Sequence, residues 1–324
     1  MKKNLNILIT GGTGSFGKKF VELTLKKYNP KRLVVFSRDE MKQWFMQSDY
    51  ANEKRLRFFL GDVRDKDRLN RALDGIDYVV HAAANKIVTT AEYNPFETVK
   101  TNILGAMNLI DVCINRGIKK VIALSTDKAC NPVNFYGATK LASDKLFVAG
   151  NSYSNYHRTK FSVVRYGNVM GSRGSIIPFL LKQKNNNNDF TLTHPEMTRF
   201  MTTLESSVNQ VWNAFSEMKG GEIFVRKNPS VKIIDLMKMI DAKRKIKIIG
   251  IRPGEKIHEV MVSKDDWPTT VEKKDHFVIY PKKGNNLKFK DRTEYSSLTN
   301  NDKLSAKDLK SWINKNYKNL IESN

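Results

Sequence analysis

The stretch LNILITGGTGSFGKKF, residues 5–20, decides the fold because it joins an apolar run to a glycine-rich turn and then to a helical segment. Gly12, Gly14 and Gly17 match the G-x-G-x-x-G pattern in the strand-turn-helix context that this pattern requires. Glycines there permit a tight turn and let the backbone approach a pyrophosphate at the N-terminus of the helix. The stretch therefore predicts a dinucleotide site made by Gly11, Thr13, Gly14, Ser15, Phe16 and Gly17.

Apolar runs alternate with helix-length segments through the first half of the chain. Strands are expected at 5–10, 32–37, 55–62, 77–84, 119–125 and 161–167, and helices at 95–117 and 135–151. This alternation is typical of βαβ units. It predicts an α/β fold with a Rossmann-like doubly wound parallel sheet.

The alternation loosens after Gly167, where a strand is expected at 221–225 and a helix at 232–240. We predict a dinucleotide-binding domain over residues 1–167, with some later segments returning to it. Residues 168–324 are expected to form mainly a smaller α/β substrate-binding region and a C-terminal tail.

The composition limits the class of protein. The chain has 324 residues, is 40% apolar and carries a net charge of +23. That charge would attract phosphate chains, but the lysines are spread along the sequence without a nucleic-acid-binding motif. Because no apolar run suits a signal peptide or a membrane span, we expect a cytoplasmic protein that binds neither membranes nor nucleic acid. Cys113 and Cys130 are too few for a disulfide framework or a metal site, so both are expected to be reduced.

The residues after the later strands indicate which dinucleotide is bound. An NAD site normally offers an acidic side chain to the ribose, whereas an arginine accommodates the 2′-phosphate of NADP. Ser37 and Arg38 stand at this point and favour NADP, although a shift in register would present Asp39 instead. Asp62, which precedes Val63, either reaches the adenine or caps the next turn. The small residues that let a dinucleotide lie close to the fourth strand are Ala82, Ala83 and Ala84.

The stretch LSTDKACNPVNFYGATK, residues 124–140, contains two pairs of proton-handling side chains. Tyr136 and Lys140 are four residues apart, which places them on one face of a helix. A tyrosine has a reference pKa of about 10, but a nearby ammonium and a bound nicotinamide cation both stabilise its phenolate. Tyr136 and Lys140 are thus suited to taking a proton from a hydroxyl while a hydride leaves the same carbon. Asp127 and Lys128 form the second pair.

These motifs, with RYGNVMGSRGSIIPF (165–179) and RPGEKIHEVM (252–261), resemble the extended short-chain dehydrogenase/reductases. More narrowly, they resemble the UDP-N-acetylglucosamine 4,6-dehydratases that invert C5. The resemblance covers roughly residues 4–281. Its subgroup marker is Asp127-Lys128 followed closely by Tyr136, since the dTDP-glucose 4,6-dehydratases have Asp-Glu and a tyrosine much further along.

The resemblance implies a reaction in which NADP is recycled. Tyr136 would handle the C4 hydroxyl, Lys128 would act as base at C5, and Asp127 would protonate the leaving C6 hydroxyl. A lysine acts as a base only if its pKa is lowered, and burial beside Lys140 or the cofactor would lower it. Thr126, or less favourably Ser125, would hydrogen-bond the sugar. The product would be UDP-2-acetamido-2,6-dideoxy-β-L-arabino-hex-4-ulose, an early intermediate for surface glycans.

The resemblance also implies anchors for a UDP-sugar and a homo-oligomeric state. Arg252 would bind the pyrophosphate, because a guanidinium is suited to bidentate contacts, and Glu255 would bind the uridine ribose. Further candidates are Lys86, Asn168 and Arg199. No metal is expected.

Three alternatives stay open at this point. The nearest are two other enzymes of the extended family, a UDP-sugar 4-epimerase and a C5-retaining 4,6-dehydratase. An epimerase needs only the tyrosine chemistry, so Asp127 and Lys128 argue against it. The alternative from another class is a non-catalytic nucleotide- or RNA-binding protein, against which Tyr136 and Lys140 argue.

Overall fold

Six parallel strands from the first half of the chain form most of the main sheet, and each one coincides with an apolar run of the sequence. The computed structural model describes residues 4–154, 158–282 and 293–321. The strands are β1 (Asn6–Thr10), β2 (Arg32–Ser37), β3 (Leu56–Leu60), β4 (Tyr78–His81), β5 (Lys120–Thr126) and β6 (Lys160–Tyr166). They lie side by side in the order β3-β2-β1-β4-β5-β6. This order is that of a Rossmann fold, so the predicted doubly wound parallel sheet is confirmed.

Helices cover both faces of this sheet. They are α1 (Ser15–Lys27), α2 (Glu40–Asp49), α3 (Lys66–Ala72), α4 (Val88–Tyr93), α5 (Pro95–Val99), α6 (Gly105–Asn115) and α7 (Phe135–Tyr153). A π-helical turn at Lys100–Leu104 links α5 to α6, so the segment predicted as one helix over 95–117 is divided. Separate apolar cores fill the two faces, one with α6 and α7 and the other with α1.

The second half of the chain partly returns to the main sheet. Its strands are β7 (Asn168–Val169), β8 (Phe190–Leu192), β9 (Thr198–Thr202), β10 (Ile223–Arg226), β11 (Ser230–Lys232), β12 (Ile246–Ile248), β13 (Val260–Val262), β14 (Thr270–Glu272), β15 (His276–Ile279) and β16 (Tyr295–Ser296). β10 pairs in parallel with β6, β15 pairs antiparallel with β10, and β14 pairs antiparallel with β15. Within the described ranges the main sheet therefore has nine strands.

The remaining elements build a smaller region beside the carboxyl ends of the parallel strands. Its helices are α8 (Ile176–Asn185), α10 (Ile233–Ile240) and α11 (Ala306–Ile321), whereas α9 (Leu204–Glu217) packs on the main sheet. The division into domains at residue 167 stays a prediction. Residues 1–3 and 322–324 at the two ends of the chain lie outside the described residues. Residues 155–157 and 283–292 also lie outside them. Among the helices that the structure describes, none is both long and apolar enough to cross a membrane.

Candidate active site

A cavity of about 800 Å³ lies where the parallel strands end. Its walls include the segments that follow β1, β2, β3, β4 and β5, and residues of the smaller region close it from the other side. Nearly all the residues predicted as cofactor, catalytic or substrate positions line this cavity. The exception is Asp127, which is fully buried directly behind the wall.

The glycine-rich turn leaves space along the end of β4. Gly11 has a φ of +65°, and a Cβ there would stand 2.9 Å from the backbone of Ala83. A Cβ on Gly17 would stand 2.3 Å from the carbonyl oxygen of Gly12. Both positions therefore exclude side chains, which keeps a backbone cradle open at the start of α1. A dinucleotide pyrophosphate fits such a cradle.

Contacts from distant segments hold the turn in place. The hydroxyl oxygens of Thr13 and Ser37 lie 2.8 Å apart. Arg173 donates from Nη2 to the carbonyl oxygen of Thr13 at 3.0 Å and from its backbone N to Ser15 Oγ at 3.2 Å. The turn is thus braced by the end of β2 and by the smaller region.

Charged side chains surround the end of β2. The Arg38 side chain is 57% exposed at the cavity rim, with its Nη1 3.7 Å from Asp62 Oδ2. Asp39 caps α2 by accepting a hydrogen bond from Lys42 N at 2.9 Å, and its carboxylate pairs with the Lys42 ammonium, which lowers the pKa of Asp39. Asp62 accepts from the backbone N of Arg64 at 3.0 Å, so it caps the next turn. Arg38, Asp39, Lys42 and Asp62 all line the cavity, and each of the two carboxylates already accepts a backbone hydrogen bond.

A tight turn joins β5 to α7. Residues Asp127–Ala129 form a 3₁₀ turn, and Asn134 caps α7 by accepting from Gly137 N at 2.7 Å. The turn and the helix touch so closely that a Cβ on Gly137 would lie 2.2 Å from the carbonyl oxygen of Lys128. This packing brings the two predicted proton-handling pairs into one place.

Lys128 lies between two carboxylates. Its Nζ is 3.1 Å from Asp127 Oδ1 and 3.1 Å from Glu259 Oε1. Burial by itself would lower the pKa of Lys128, but the two carboxylates outweigh it and raise the pKa above its usual value. The expected lowering of this pKa is therefore wrong for the protein without ligands. Sequence reasoning missed it because Glu259 comes from a distant segment.

Tyr136 and Lys140 are both buried. Burial raises the pKa of Tyr136 to about 12, although Lys128 and a hydrogen bond with Thr126 act in the opposite direction. The cation that favours the phenolate in this structure is thus Lys128, whereas Lys140 was expected. Burial lowers the pKa of Lys140, and Asp144 partly offsets that effect.

The hydroxyls beside the pairs have different partners. Thr126 Oγ1 donates to Asp127 Oδ1 at 2.9 Å and faces the cavity. Ser125 Oγ donates instead to the buried Asp144 at 2.6 Å. Both residues line the cavity, and the Thr126 hydroxyl is the one that contacts the Asp127–Lys128 pair, while its role toward a ligand stays a prediction.

Two of the predicted substrate anchors, Arg199 and Lys86, have side chains that already donate hydrogen bonds within the protein. The guanidinium of Arg199 is engaged, since it donates to the carbonyl oxygens of Lys256 at 2.8 Å and Ile257 at 3.0 Å. Lys86 Nζ donates to the carbonyl oxygen of Arg173 at 2.9 Å, and its pKa is lowered by burial and then by the Arg173 charge.

The other three anchors also lie on the cavity wall. Asn168 lies in β7, and Arg252 and Glu255 lie in the loop before β13, where Arg252 N donates to Glu255 Oε2 at 3.3 Å. The exposed Arg252 is the predicted cation best placed to receive an anion.

Residues that sequence reasoning missed belong to quoted motifs but were given no role. Arg173 lies in RYGNVMGSRGSIIPF, and Lys256 and Glu259 lie in RPGEKIHEVM. The signal that could have indicated these three residues was their charge inside a quoted motif. Cys113 and Cys130 are free and buried, and burial raises the pKa of Cys130 to about 11. Among the described residues, no group of His, Cys, Asp and Glu is arranged to hold a metal ion.

Comparison with known proteins places this site in a family. A family model described as polysaccharide biosynthesis protein matches residues 7–281. The chain belongs to this family. Its match covers the main sheet and the cavity described above.

Two relatives that align with most of this chain carry different names. A protein of Campylobacter jejuni subsp. jejuni serotype O:23/36 (strain 81-176), named UDP-N-acetylglucosamine 4,6-dehydratase (inverting), is 50% identical over 95% of this chain and 97% of its own. A protein of Rickettsia canadensis (strain McKiel), named UDP-glucose 4-epimerase, is 42% identical over 87% and 84%. The X-ray structure of Pen from Bacillus thuringiensis has a TM-score of 0.89 and 37% identity, with 97% and 98% covered. The resemblance inferred from the motifs is confirmed.

Proposed function

We propose that this chain dehydrates UDP-N-acetylglucosamine at C4–C6 with inversion at C5. The observation that carries the proposal is the meeting of Lys128, Tyr136 and Lys140 in one cavity, with the buried Asp127 in contact with Lys128 directly behind its wall. Moving a hydride at C4 needs one proton-handling group, whereas eliminating water across C5 and C6 needs a further base and acid. The similarity to the Campylobacter dehydratase supports the same assignment.

The cofactor in this proposal is a nicotinamide dinucleotide, and NADP in particular. The turn from Gly11 to Gly17 would hold the pyrophosphate, and Arg38 would contact a 2′-phosphate at the end of β2. Asp39 is occupied as the cap of α2, which leaves Arg38 to select the nucleotide. When bound, the nicotinamide accepts a hydride from the sugar C4 and returns it to C6.

The residues of the chain would move the protons. Tyr136 exchanges a proton with the C4 hydroxyl, with Lys140 and Thr126 beside it. Oxidation at C4 acidifies the C5 proton. Lys128 would pass one proton to Asp127, 3.1 Å away, and as the free amine remove the C5 proton, while Asp127 supplies the proton with which the C6 hydroxyl leaves as water. Asp127 reaches the cavity through its contacts with Lys128 and Thr126. A proton added to C5 from the opposite face completes the inversion.

The UDP group would occupy the side of the cavity formed by the smaller region. Arg252 is assigned to the pyrophosphate, Glu255 to the uridine ribose and Lys86 to the sugar, and Asn168 is a further candidate on the cavity wall. Arg199 contributes by holding the loop that carries Arg252 and Glu255.

Deuterium labelling tests the proposal. Purified protein is incubated with UDP-N-acetylglucosamine in deuterium oxide, and the product is examined by NMR and mass spectrometry. Loss of water, deuterium at C5 and an L-arabino coupling pattern are expected. A D-xylo product would overturn the inversion, and unchanged sugar would overturn the dehydratase.

A UDP-sugar 4-epimerase is the second candidate, because the Rickettsia relative carries that name. An epimerase would return a C4 epimer without loss of water. The same labelling experiment therefore separates the two candidates.

Association of several copies is also part of the proposal. Large apolar side chains are exposed along α4 to α6, among them Tyr93, Phe96 and Leu104. Contiguous exposed apolar residues of this kind are typical of protein interfaces. Light scattering would give the mass in solution. The cytoplasmic location stays a prediction.

A further inference from the structure

A buried carboxylate outside the predicted site faces the same cavity. Glu259 is 2% exposed, and its Oε1 lies 3.1 Å from Lys128 Nζ and 3.8 Å from Arg199 Nε. Its Oε2 lies 3.8 Å from Lys256 Nζ and has no hydrogen-bond partner among the described residues. Burying a carboxylate is costly unless a cation compensates it. Lys128 provides the shortest such contact.

The backbone holds Glu259 firmly at this point. Its N–H donates to Ser297 Oγ at 2.9 Å, and Ser297 N donates to its carbonyl oxygen at 2.8 Å. These bonds continue the pairing of β13 with β16. Glu259 therefore lies directly before β13, where two backbone hydrogen bonds fix the position of its carboxylate beside Lys128.

The same segment carries the proposed anchors for UDP. Arg252 and Glu255 precede Glu259 in one run, which Arg199 fixes through two carbonyl oxygens. Asn134 at the start of α7 also donates to the carbonyl oxygen of Gly254 at 2.8 Å. The segment thus joins the UDP end of the cavity to the Lys128 end.

We propose that Glu259 is a positioning residue that holds the Lys128 amine at the wall of the cavity, where the amine removes the proton from C5. The role of Lys128 rests on the proposed function, whereas the Lys128–Glu259 contact does not. Asp127 contacts the Lys128 amine from the adjacent residue, and Glu259 contacts the same amine from the segment before β13. Together the two carboxylates determine the direction of the amine.

Replacing Glu259 should change the titration of Lys128. The charged and titratable groups facing Lys128 are Asp127, Glu259, Arg199 and Tyr136, and Lys256 faces Glu259 from its own segment. Removing the Glu259 carboxylate leaves the repulsion between Arg199 and the Lys128 ammonium less compensated. The Lys128 ammonium should therefore lose its proton at lower pH. An opposite charge at this distance typically shifts a pKa by about one to three units.

The test compares Glu259→Gln with Glu272→Gln, a matched change on the exposed edge strand β14. Modification of Lys128 by an amine-directed reagent is followed against pH by mass spectrometry, which is feasible because its side chain is 22% exposed. We expect the midpoint to fall by about one to three pH units in Glu259→Gln alone. An unchanged midpoint would overturn the proposal.

Turnover gives a second readout. In Glu259→Gln the rising limb of kcat against pH should move to lower pH, and C5 deuterium exchange should slow more than formation of reduced nicotinamide. Equal losses in both steps would indicate a structural role and overturn the proposal. If wild type leaves the sugar unchanged, the proposed function fails, while the modification experiment still decides the role of Glu259.

A double variant covers the case in which Glu259→Gln does not fold. Removing both partners of a buried pair costs much less than removing one. Lys128→Met leaves both Asp127 and Glu259 without this cation, so Lys128→Met/Glu259→Gln should unfold at a higher temperature than Lys128→Met. A double variant no more stable than Lys128→Met would overturn the pairing.

Discussion

At the scale of single residues, Arg38 is the side chain proposed to meet the nucleotide. Arg38→Ala should weaken NADP binding roughly tenfold and leave NAD binding nearly unchanged, since a hydrogen bond to a charged group contributes about 1.5–3 kcal/mol. Isothermal titration with both nucleotides measures this. Arg64→Ala, which removes the other arginine of Asp62, is the control. Equal losses for both nucleotides would contradict NADP selection.

His81 gives a prediction about pH and stability. It is buried with its Nδ1 2.9 Å from Thr10 Oγ1, and burial, together with Lys140, lowers its pKa to about 3. The unfolded chain binds this proton below about pH 6.5. The unfolded state therefore binds more protons between about pH 6.5 and about pH 3, and stability falls as the pH falls through that window.

His81→Asn should remove this part of the pH dependence while keeping a polar contact for Thr10. Between about pH 6.5 and about pH 5, wild type should lose roughly 1.5 kcal/mol more unfolding free energy than the variant. Urea unfolding at both pH values measures the difference. Parallel losses in the two proteins would show that His81 is not the group responsible.

At the scale of single residues, the sequence predicted which side chains line the cavity better than it predicted the direction of their pKa shifts. Lys128 and Tyr136 follow from spacing, and the structure brings them into one cavity. The direction of their pKa shifts depends on burial and on Glu259, which no local pattern reveals. Whether each predicted residue performs its role stays a prediction.

At the scale of elements, the junction of the Asp127–Ala129 turn with α7 is the tightest feature of the site. Gly137→Ala would force a Cβ against the carbonyl oxygen of Lys128. We expect kcat to fall by roughly 100-fold, because misplacing a catalytic group by about 1 Å has that effect. Steady-state kinetics measures it.

Gly150→Ala is the matched control for this change. It lies in the same helix, α7, where a Cβ would meet side chains of Ile110 and Phe161 at 3.2 Å and not backbone. Side chains yield more easily than backbone, so its kcat should stay near that of wild type. Equal effects of the two substitutions would show that helix stability, and not the position of Lys128, is responsible.

Strands and long helices were largely predictable because burial imposes the apolar pattern. The six predicted strands match β1 to β6 within a few residues, and the helix expected at 232–240 matches α10. The π-helical turn between α5 and α6 was not predictable. Within it, Asn102 bonds the backbone of Asn85 and the hydroxyl of Thr139, so the turn accompanies tertiary contacts that local sequence does not show.

At the scale of the whole molecule, later segments complete the first half. β10 covers the edge of β6, and Trp212 of α9 donates to Thr24 of α1 at 3.3 Å. A fragment ending at Gly167 would expose that strand edge and the apolar face beneath α9. We expect it to aggregate or to lack a cooperative unfolding transition, as judged by circular dichroism in urea. Cooperative unfolding together with NADP binding would show that 1–167 is an independent domain.

The sequence predicted that some later segments return to the first domain but not which ones. The strand expected at 221–225 is β10, yet nothing local indicated that it joins β6 in parallel. β14 and β15 are short and lack a strong apolar alternation. Their place depends on pairing between distant residues, which a single sequence does not display.

The chain leaves the main sheet after β6, returns with α9 and β10, leaves again, and comes back as β14 and β15. The first of these segments, 168–203, starts and finishes at the carboxyl ends of the parallel strands, whereas the second, 227–269, starts there and finishes at the opposite edge, where β14 begins. Both segments contribute residues to the cavity wall. Replacing either one would therefore change the cavity while leaving the strand order and the glycine turn intact.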